Sequence, residues 1–159
     1  SIGGPTDTTS SSQFAYCLNR YSSNTQTAIF GKSNDTNAFT VPNTSDGNWH
    51  HLVVTYDKSA LKVYIDGNLE ATQSLQSSNY ATSSGFNIGS WSDKTSSNAA
   101  RYFNGSIDVV AVFNTALSAN KIQQIYDATA VVGGVPQTAN LFTGGLDSSL
   151  VYWNRMGDS

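Results

Sequence analysis

Apolar positions along this chain come in short runs, separated by stretches rich in Ser, Thr, Asn and Gly. Short apolar runs bounded by turn residues predict β-strands rather than helices. Phe14 to Leu18 reads as one strand and Thr27 to Phe30 as its hairpin neighbour, with Tyr21 to Asn24 between them. Gly31 to Asn37 reads as a turn, and Phe39 to Val41 as a short strand ending at Pro42. Trp49 to Tyr56 is apolar on both faces, which predicts a central strand. Leu61 to Ile65 alternates, with Leu61, Val63 and Ile65 on one face. Asp66-Gly67 is a strong two-residue hairpin signal, and Asn68 to Leu75 returns from it, completing a three-stranded meander. A short strand, Phe86 to Gly89, precedes a Ser/Asn-rich loop from Ser90 to Ala99. Ser106 to Phe113 then reads as a long, mostly buried strand.

One segment switches to helical spacing. Ile122, Ile125 and Tyr126 share a helix face, Ser118 is placed to cap it, and Leu117 and Ile122 suit a hydrophobic staple. The spacing predicts one short helix near residues 118–127. From residue 131 to 147, Gly133-Gly134 and Pro136 read as a linker. Leu150 to Trp153 then looks like a lone strand with no hairpin partner behind it.

Composition strengthens the β reading. Ser, Thr and Asn make up roughly a third of the chain, far above ordinary usage. They suit strand faces and turns, whereas in long helices their side chains compete for the backbone. Hydrophobic residues reach 38%, with eight Tyr, seven Phe and three Trp, so the polar bias does not mean disorder. The formal net charge is -3 with only eight Lys and Arg, so no basic stripe exists to bind nucleic acid. No apolar run is long enough for a membrane span, and Ser1 to Gly4 is not a signal peptide. Cys17 stands alone in an apolar run and reads as a small buried hydrophobe.

Three motifs together carry a family resemblance. Asp46-Gly47-Asn48-Trp49-His50-His51-Leu52-Val53-Val54-Thr55-Tyr56-Asp57 followed by Leu61-Lys62-Val63-Tyr64-Ile65-Asp66-Gly67 resembles the central motif of laminin G-like domains. Phe103-Asn104-Gly105-Ser106-Ile107-Asp108 followed by Phe113-Asn114-Thr115-Ala116-Leu117-Ser118 resembles the last strand and small helix of the same family. The resemblance covers roughly residues 10–128. It implies an all-β fold, an antiparallel two-sheet jelly-roll sandwich of the concanavalin A-like lectin and glucanase type. Such domains usually bind glycans or proteins, often with a calcium ion on the rim. Many are repeats in adhesins, extracellular bacterial proteins and phage virion proteins, which implies an extracellular or virion-surface location.

The chain departs from that pattern at its ends. Family members carry several strands before the segment matching Phe14, and only about a dozen residues precede it here. Tyr152 to Asp158 resembles the opening strand of another such unit. The expected organisation is therefore a laminin G-like jelly roll over 1–130 without its first strands, a linker over 131–147, and over 148–159 either the opening strand of a following unit or a strand that packs on a neighbour. Unpaired sheet edges invite pairing, so other copies of the chain or neighbouring units are the expected partners.

The candidate chemistry points away from catalysis. Glycoside hydrolysis usually needs two carboxylates at a set separation. The chain has a single glutamate, Glu70, beside a hairpin turn, and the strand from Ser106 to Phe113 carries only Asp108. His50 and His51 are adjacent on a strand, face opposite sides and cannot chelate one metal together, so they are expected to pack around Trp49. Asp35, Asp46, Asp66 and Asp93 are loop oxygens open to calcium, but no EF-hand spacing joins them, and Asp46 and Asp66 read as turn residues. The metal ligands are left unassigned. Glycan binding needs aromatic faces with nearby polar groups, and Tyr80, Trp91, Asp93 and Tyr102 in or beside the Ser/Asn-rich loop are the candidates. Two functions fit: a non-catalytic structural or adhesive repeat of a virion or extracellular protein, or a carbohydrate-binding module of a larger secreted protein.

Overall fold

Hydrogen-bonded antiparallel ladders account for most of the described backbone. The structure, a computed structural model, describes residues 2–3, 13–22, 25–32, 38–42, 44, 46–74, 87–91, 101–129, 131–132, 135–137, 139–142 and 146–156. In chain order the strands are β1 (Ile2–Gly3), β2 (Gln13–Ser22), β3 (Thr25–Lys32), β4 (Ala38–Val41), β5 (Leu52–Tyr56), β6 (Ala60–Ile65) and β7 (Asn68–Ser74). They continue as β8 (Asn87–Ile88), β9 (Ser90–Trp91), β10 (Arg101–Tyr102) and β11 (Val109–Phe113). After helix α1 (Ala119–Ala128) come β12 (Val131–Val132), β13 (Val135–Pro136), a 3₁₀ turn (Asp147–Ser149) and β14 (Leu150–Arg155). The chain divides into two units, Ser1–Thr44 with Leu75–Gly105, and Ser45–Ser74 with Ser106–Ser159.

In the first unit, β2, β3 and β4 form an antiparallel meander, with Leu18 opposite Ala28 and Ala28 opposite Phe39. Both long strands outrun their apolar runs. Asn19 to Ser22 remain in β2, and Gly31 and Lys32, expected in a turn, remain in β3. A ladder satisfies backbone groups whatever the side chain, so pairing continues past the last apolar residue. Bulges at Phe14/Cys17 and Arg20/Ser22 absorb the extra residues. The Ser/Thr-rich stretch from Pro5 to Gln13 reads as a loop in the sequence; Gln13 belongs to β2, and the rest lies outside the described residues.

In the second unit, β5, β6 and β7 are antiparallel in the order β5-β6-β7. The middle strand is β6, not the apolar stretch from Trp49 to Tyr56. Leu61, Val63, Tyr64 and Ile65 are all buried, while among the strand residues of β5 only Thr55 is. The stretch also starts late: Trp49, His50 and His51 lie outside the strand, and Trp49 is 40% exposed. At the hairpin tip, Asp66 (φ 52°) and Gly67 (φ 80°) take the left-handed pair of angles of a type I′ turn. A Cβ on Gly67 would meet the Gln123 side chain of α1. Gly67→Ala should cost about 1–2 kcal/mol from the left-handed backbone, with Gln123 swinging aside; a thermal melt of the variant measures it. The other end of β6 is held by Asp57, whose Oδ1 accepts from the Ser59 hydroxyl (2.7 Å), the Ala60 amide (2.7 Å) and the Ser59 amide (2.9 Å). Those bonds hold the Asp57 carboxyl down to about 2.

Helix α1 follows its signals. The Lys121 amide donates to Ser118 Oγ at 3.4 Å, and Ile122 and Ile125 are buried. It closes at Thr129, whose amide donates to the Ile125 and Tyr126 carbonyls. The strand before it is shorter and less buried than its sequence suggests: β11 keeps five residues, of which only Val110 is buried.

The C-terminal segment differs most from expectation. In the stretch read as a linker, β12 pairs with β13. Its Ala139, Leu141 and Leu146 are buried with Ile125, and Ala111, Phe113, Leu117, Leu150 and Trp153 pack against them. The last strand, which has no hairpin partner behind it, pairs with an earlier strand of the chain. β14 runs antiparallel to β11, placing Val110 opposite Asn154 and Ala111 opposite Trp153. Spacing along the sequence could not reveal this pairing, because the two strands are joined by a helix and a hairpin rather than by a turn.

Candidate functional site

The four residues proposed for glycan contact fall in two groups. Trp91 lies in β9 and Tyr102 in β10, and the ladder sets Trp91 opposite Arg101 and Tyr102 opposite Ser90. The Phe103 amide closes this hairpin onto the Gly89 carbonyl at 2.7 Å. The ladder joins the two strands although ten residues separate Trp91 from Tyr102 in sequence, and it sets the two at adjacent register positions, which belong to opposite faces of the ladder. Trp91 had been read as part of the loop. Tyr80 and Asp93 lie outside the described residues, as does Asp35.

The densest polar constellation lies elsewhere, in the second unit. His50 is held between two carboxylates. Its Nδ1 lies 2.7 Å from Asp66 Oδ2 and its Nε2 lies 3.0 Å from Asp46 Oδ1. Asp66, at the β6–β7 turn, also accepts the His51 amide at 2.8 Å through its other oxygen. Asp46 accepts from the Asn48 amide and side-chain amide, each at 2.9 Å. One aspartate from the loop before β5 and one from the hairpin tip are thus joined through an imidazole. The Asp66 amide adds a backbone bond to the His51 carbonyl at 2.9 Å.

These contacts set the charges. The bonds from Asn48, backbone first, and then from His50 hold the Asp46 carboxyl well below the usual carboxylate range. Partial burial would lower His50, but its bonds to Asp66 and then Asp46 outweigh that and raise it above the ordinary imidazole value. His51 moves the other way: burial lowers it, against a weaker pull from Asp66. The His51 ring stacks on Tyr126 of α1 at 6.1 Å with planes 23° apart, and its enclosed Nδ1 has no hydrogen-bond partner.

His50 is thus held by two carboxylates and His51 lies against Tyr126, contacts their spacing did not suggest. Asp46 and Asp66 do serve turns, and in addition clamp His50. The signal was available in the Asp four residues before His50 and in the Asp-Gly turn, but only the β5–β6 register brings Asp66 to His50. The arrangement is a clasp, with no serine or cysteine among the described residues hydrogen-bonded to the His50 ring. Among the described residues, no group of three or more His, Cys, Asp or Glu side chains is arranged to hold a metal ion. Nor is any helix among them long and apolar enough to cross a membrane.

Comparison with known proteins agrees with the ladders. The family described as the concanavalin A-like lectin/glucanases superfamily matches residues 3–123. The chain belongs to that superfamily, in its laminin G-like branch. Its fold class is accordingly the all-β antiparallel sandwich with one short helix. Laminin G-like domains are generally non-catalytic, while the superfamily as a whole includes glucanases. β14 lies beyond the matched residues. Among solved structures, the chain is similar to residues 221–444 of an S-layer domain-containing protein from Clostridium thermocellum ATCC 27405, with 21% identity and a TM-score of 0.46. That likeness covers 76% of this chain and 64% of the other, so this chain spans less than two thirds of its length. No curated protein matches.

Proposed function

We propose that this laminin G-like domain is a non-catalytic structural and adhesive repeat of a virion or extracellular surface or filament protein, joined to other copies or to neighbouring units. The observation that carries this reading is the β11–β14 ladder. A strand outside the family match completes the edge of the last family strand. A strand used in this way is one that adjoining units can share, since the same backbone bonds form whether donor and acceptor belong to one chain or two. The low charge and the excess of Ser, Thr and Asn suit a displayed β surface better than a catalytic cleft.

A second reading rests on membership of a superfamily that contains lectins. In it the domain is a carbohydrate-binding module, with Tyr80, Trp91, Asp93 and Tyr102 contacting the glycan. Sedimentation over a wide concentration range, run beside a glycan array, separates the two. The first reading expects self-association that grows with concentration and a silent array. A monomer at every concentration with saturable glycan hits would replace it with the second.

A further inference from the structure

We propose that His50 and His51 form an opposed pair of proton-sensitive fasteners, His50 closing the loop 46–50 onto the β6–β7 turn only as imidazolium and His51 seating against α1 only as neutral imidazole. The second unit then holds best in a window around the ordinary imidazole pH and loosens on either side of it.

The case for His50 is one of hydrogen-bond inventory. Ionised carboxylates only accept, and a neutral imidazole has a single N–H. Both ring nitrogens of His50 lie within hydrogen-bond distance of a carboxylate oxygen, at 2.7 Å and 3.0 Å. Two donors are therefore needed, and only the protonated ring supplies them. Deprotonation sets a lone pair against one carboxylate and breaks the bridge from Asp46 to Asp66. The charged groups facing His50 are Asp46 from its own loop and Asp66 from the hairpin tip, both negative.

The case for His51 is the reverse. Its Nδ1 is enclosed and without a partner, so a proton there would be a buried, unsatisfied charge. Its neighbours are the Tyr126 ring, stacked on it, and Asp66, whose carboxylate is already engaged by the His51 amide and the His50 ring. Protonation drives the ring out of its stack on α1.

The two senses do not cancel, because they act on opposite sides of about pH 6.5. The folded-state pKa of His50 is raised, so its contribution is fully present below the unfolded value and is lost as pH climbs through the folded value. That of His51 is lowered, so its contribution is complete above the unfolded value and is lost as pH falls towards the folded value. Stability therefore peaks between the two. The unit tightens or releases the Trp49-bearing loop on one side and the α1 contact on the other.

The chain contains two histidines and no more, which makes the test direct. In a ¹H–¹³C correlation titration of the unmodified protein, one imidazole should titrate above pH 6.5 and the other below it. His50→Gln should flatten the alkaline fall of the melting temperature and leave the acid fall. His51→Phe keeps an aromatic ring against Tyr126, and should flatten the acid fall alone. Two midpoints at the ordinary value, or both on the same side of it, would overturn the proposal even if neither variant folds. An unchanged pH profile in both folded variants would overturn it equally.

Discussion

Leu61→Ala should destabilise the second unit by about 2–5 kcal/mol, the range for a large buried aliphatic side chain cut to Ala. Leu61 is 1% exposed and opens the apolar part of the middle strand, between Tyr56 on β5 and Gln73 on β7. Val63, two residues on, is fully buried as well. A cavity at Leu61 is fenced by two ladders, so the backbone cannot collapse into it without breaking pairs on both sides. The cost should therefore fall in the upper half of the range. Leu69 is a fair control. It is 52% exposed on the outer strand, and its truncation should change stability by only about 0.5 kcal/mol. Denaturant unfolding of both variants, with midpoints compared at constant slope, measures the difference. Equal small shifts would mean that β6 is not the middle of a packed layer.

This contrast also shows what a one-dimensional pattern conveys. The buried positions Leu61, Val63 and Ile65, the Asp66-Gly67 turn and the spacing of Ile122 and Ile125 are local, and each appears in the structure where the sequence puts it, although Tyr64 is buried as well and breaks the alternation. These features answer to periods of two and 3.6 residues and to the angles one dipeptide can adopt. What was not legible is which strand lies in the middle and which strands meet across long separations. Trp49 to Tyr56 looked central because it is apolar on both faces, yet apolar content does not reveal how many ladders flank a strand. The pairing of β11 with β14 spans an intervening helix, and the burial of Ala139, Leu141 and Leu146 follows from it. Gly133-Gly134 and Pro136 mark interruptions of regular structure, and those are as compatible with an irregular packed segment as with a linker. The clasp was half legible. The turn roles of Asp46 and Asp66 could be read locally, whereas their meeting at His50 depends on the β5–β6 register.

Asn154→Pro should unfasten the C-terminal strand, with a loss of about 1–3 kcal/mol for the backbone acceptor left behind. The Met156 amide donates to the Asp108 carbonyl at 2.6 Å, which makes Asp108 and Met156 a hydrogen-bonded pair. In an antiparallel ladder such pairs recur every second residue. Asn154, opposite Val110, is therefore also a bonding position, and its amide points into the ladder. Proline removes that donor. The orphaned carbonyl belongs to Val110, which is 4% exposed, so water cannot readily replace the lost bond. Arg155 is the matching control. It occupies the alternate position opposite Val109, where the amide points away from β11, and β11 is the only described partner of β14. Arg155→Pro leaves the β11 ladder intact and should cost less than Asn154→Pro, the guanidinium's place over the Trp153 ring at 5.9 Å being among the contacts it loses. The order Asn154 well above Arg155 in a chemical melt is the expected result; the reverse order would displace the register by one residue. The pair also bears on assembly. If copies join through this strand, Asn154→Pro should abolish concentration-dependent association while Arg155→Pro preserves it. Loss in both variants would mean that the outer edge of β14, not its seat on β11, carries the contact between copies.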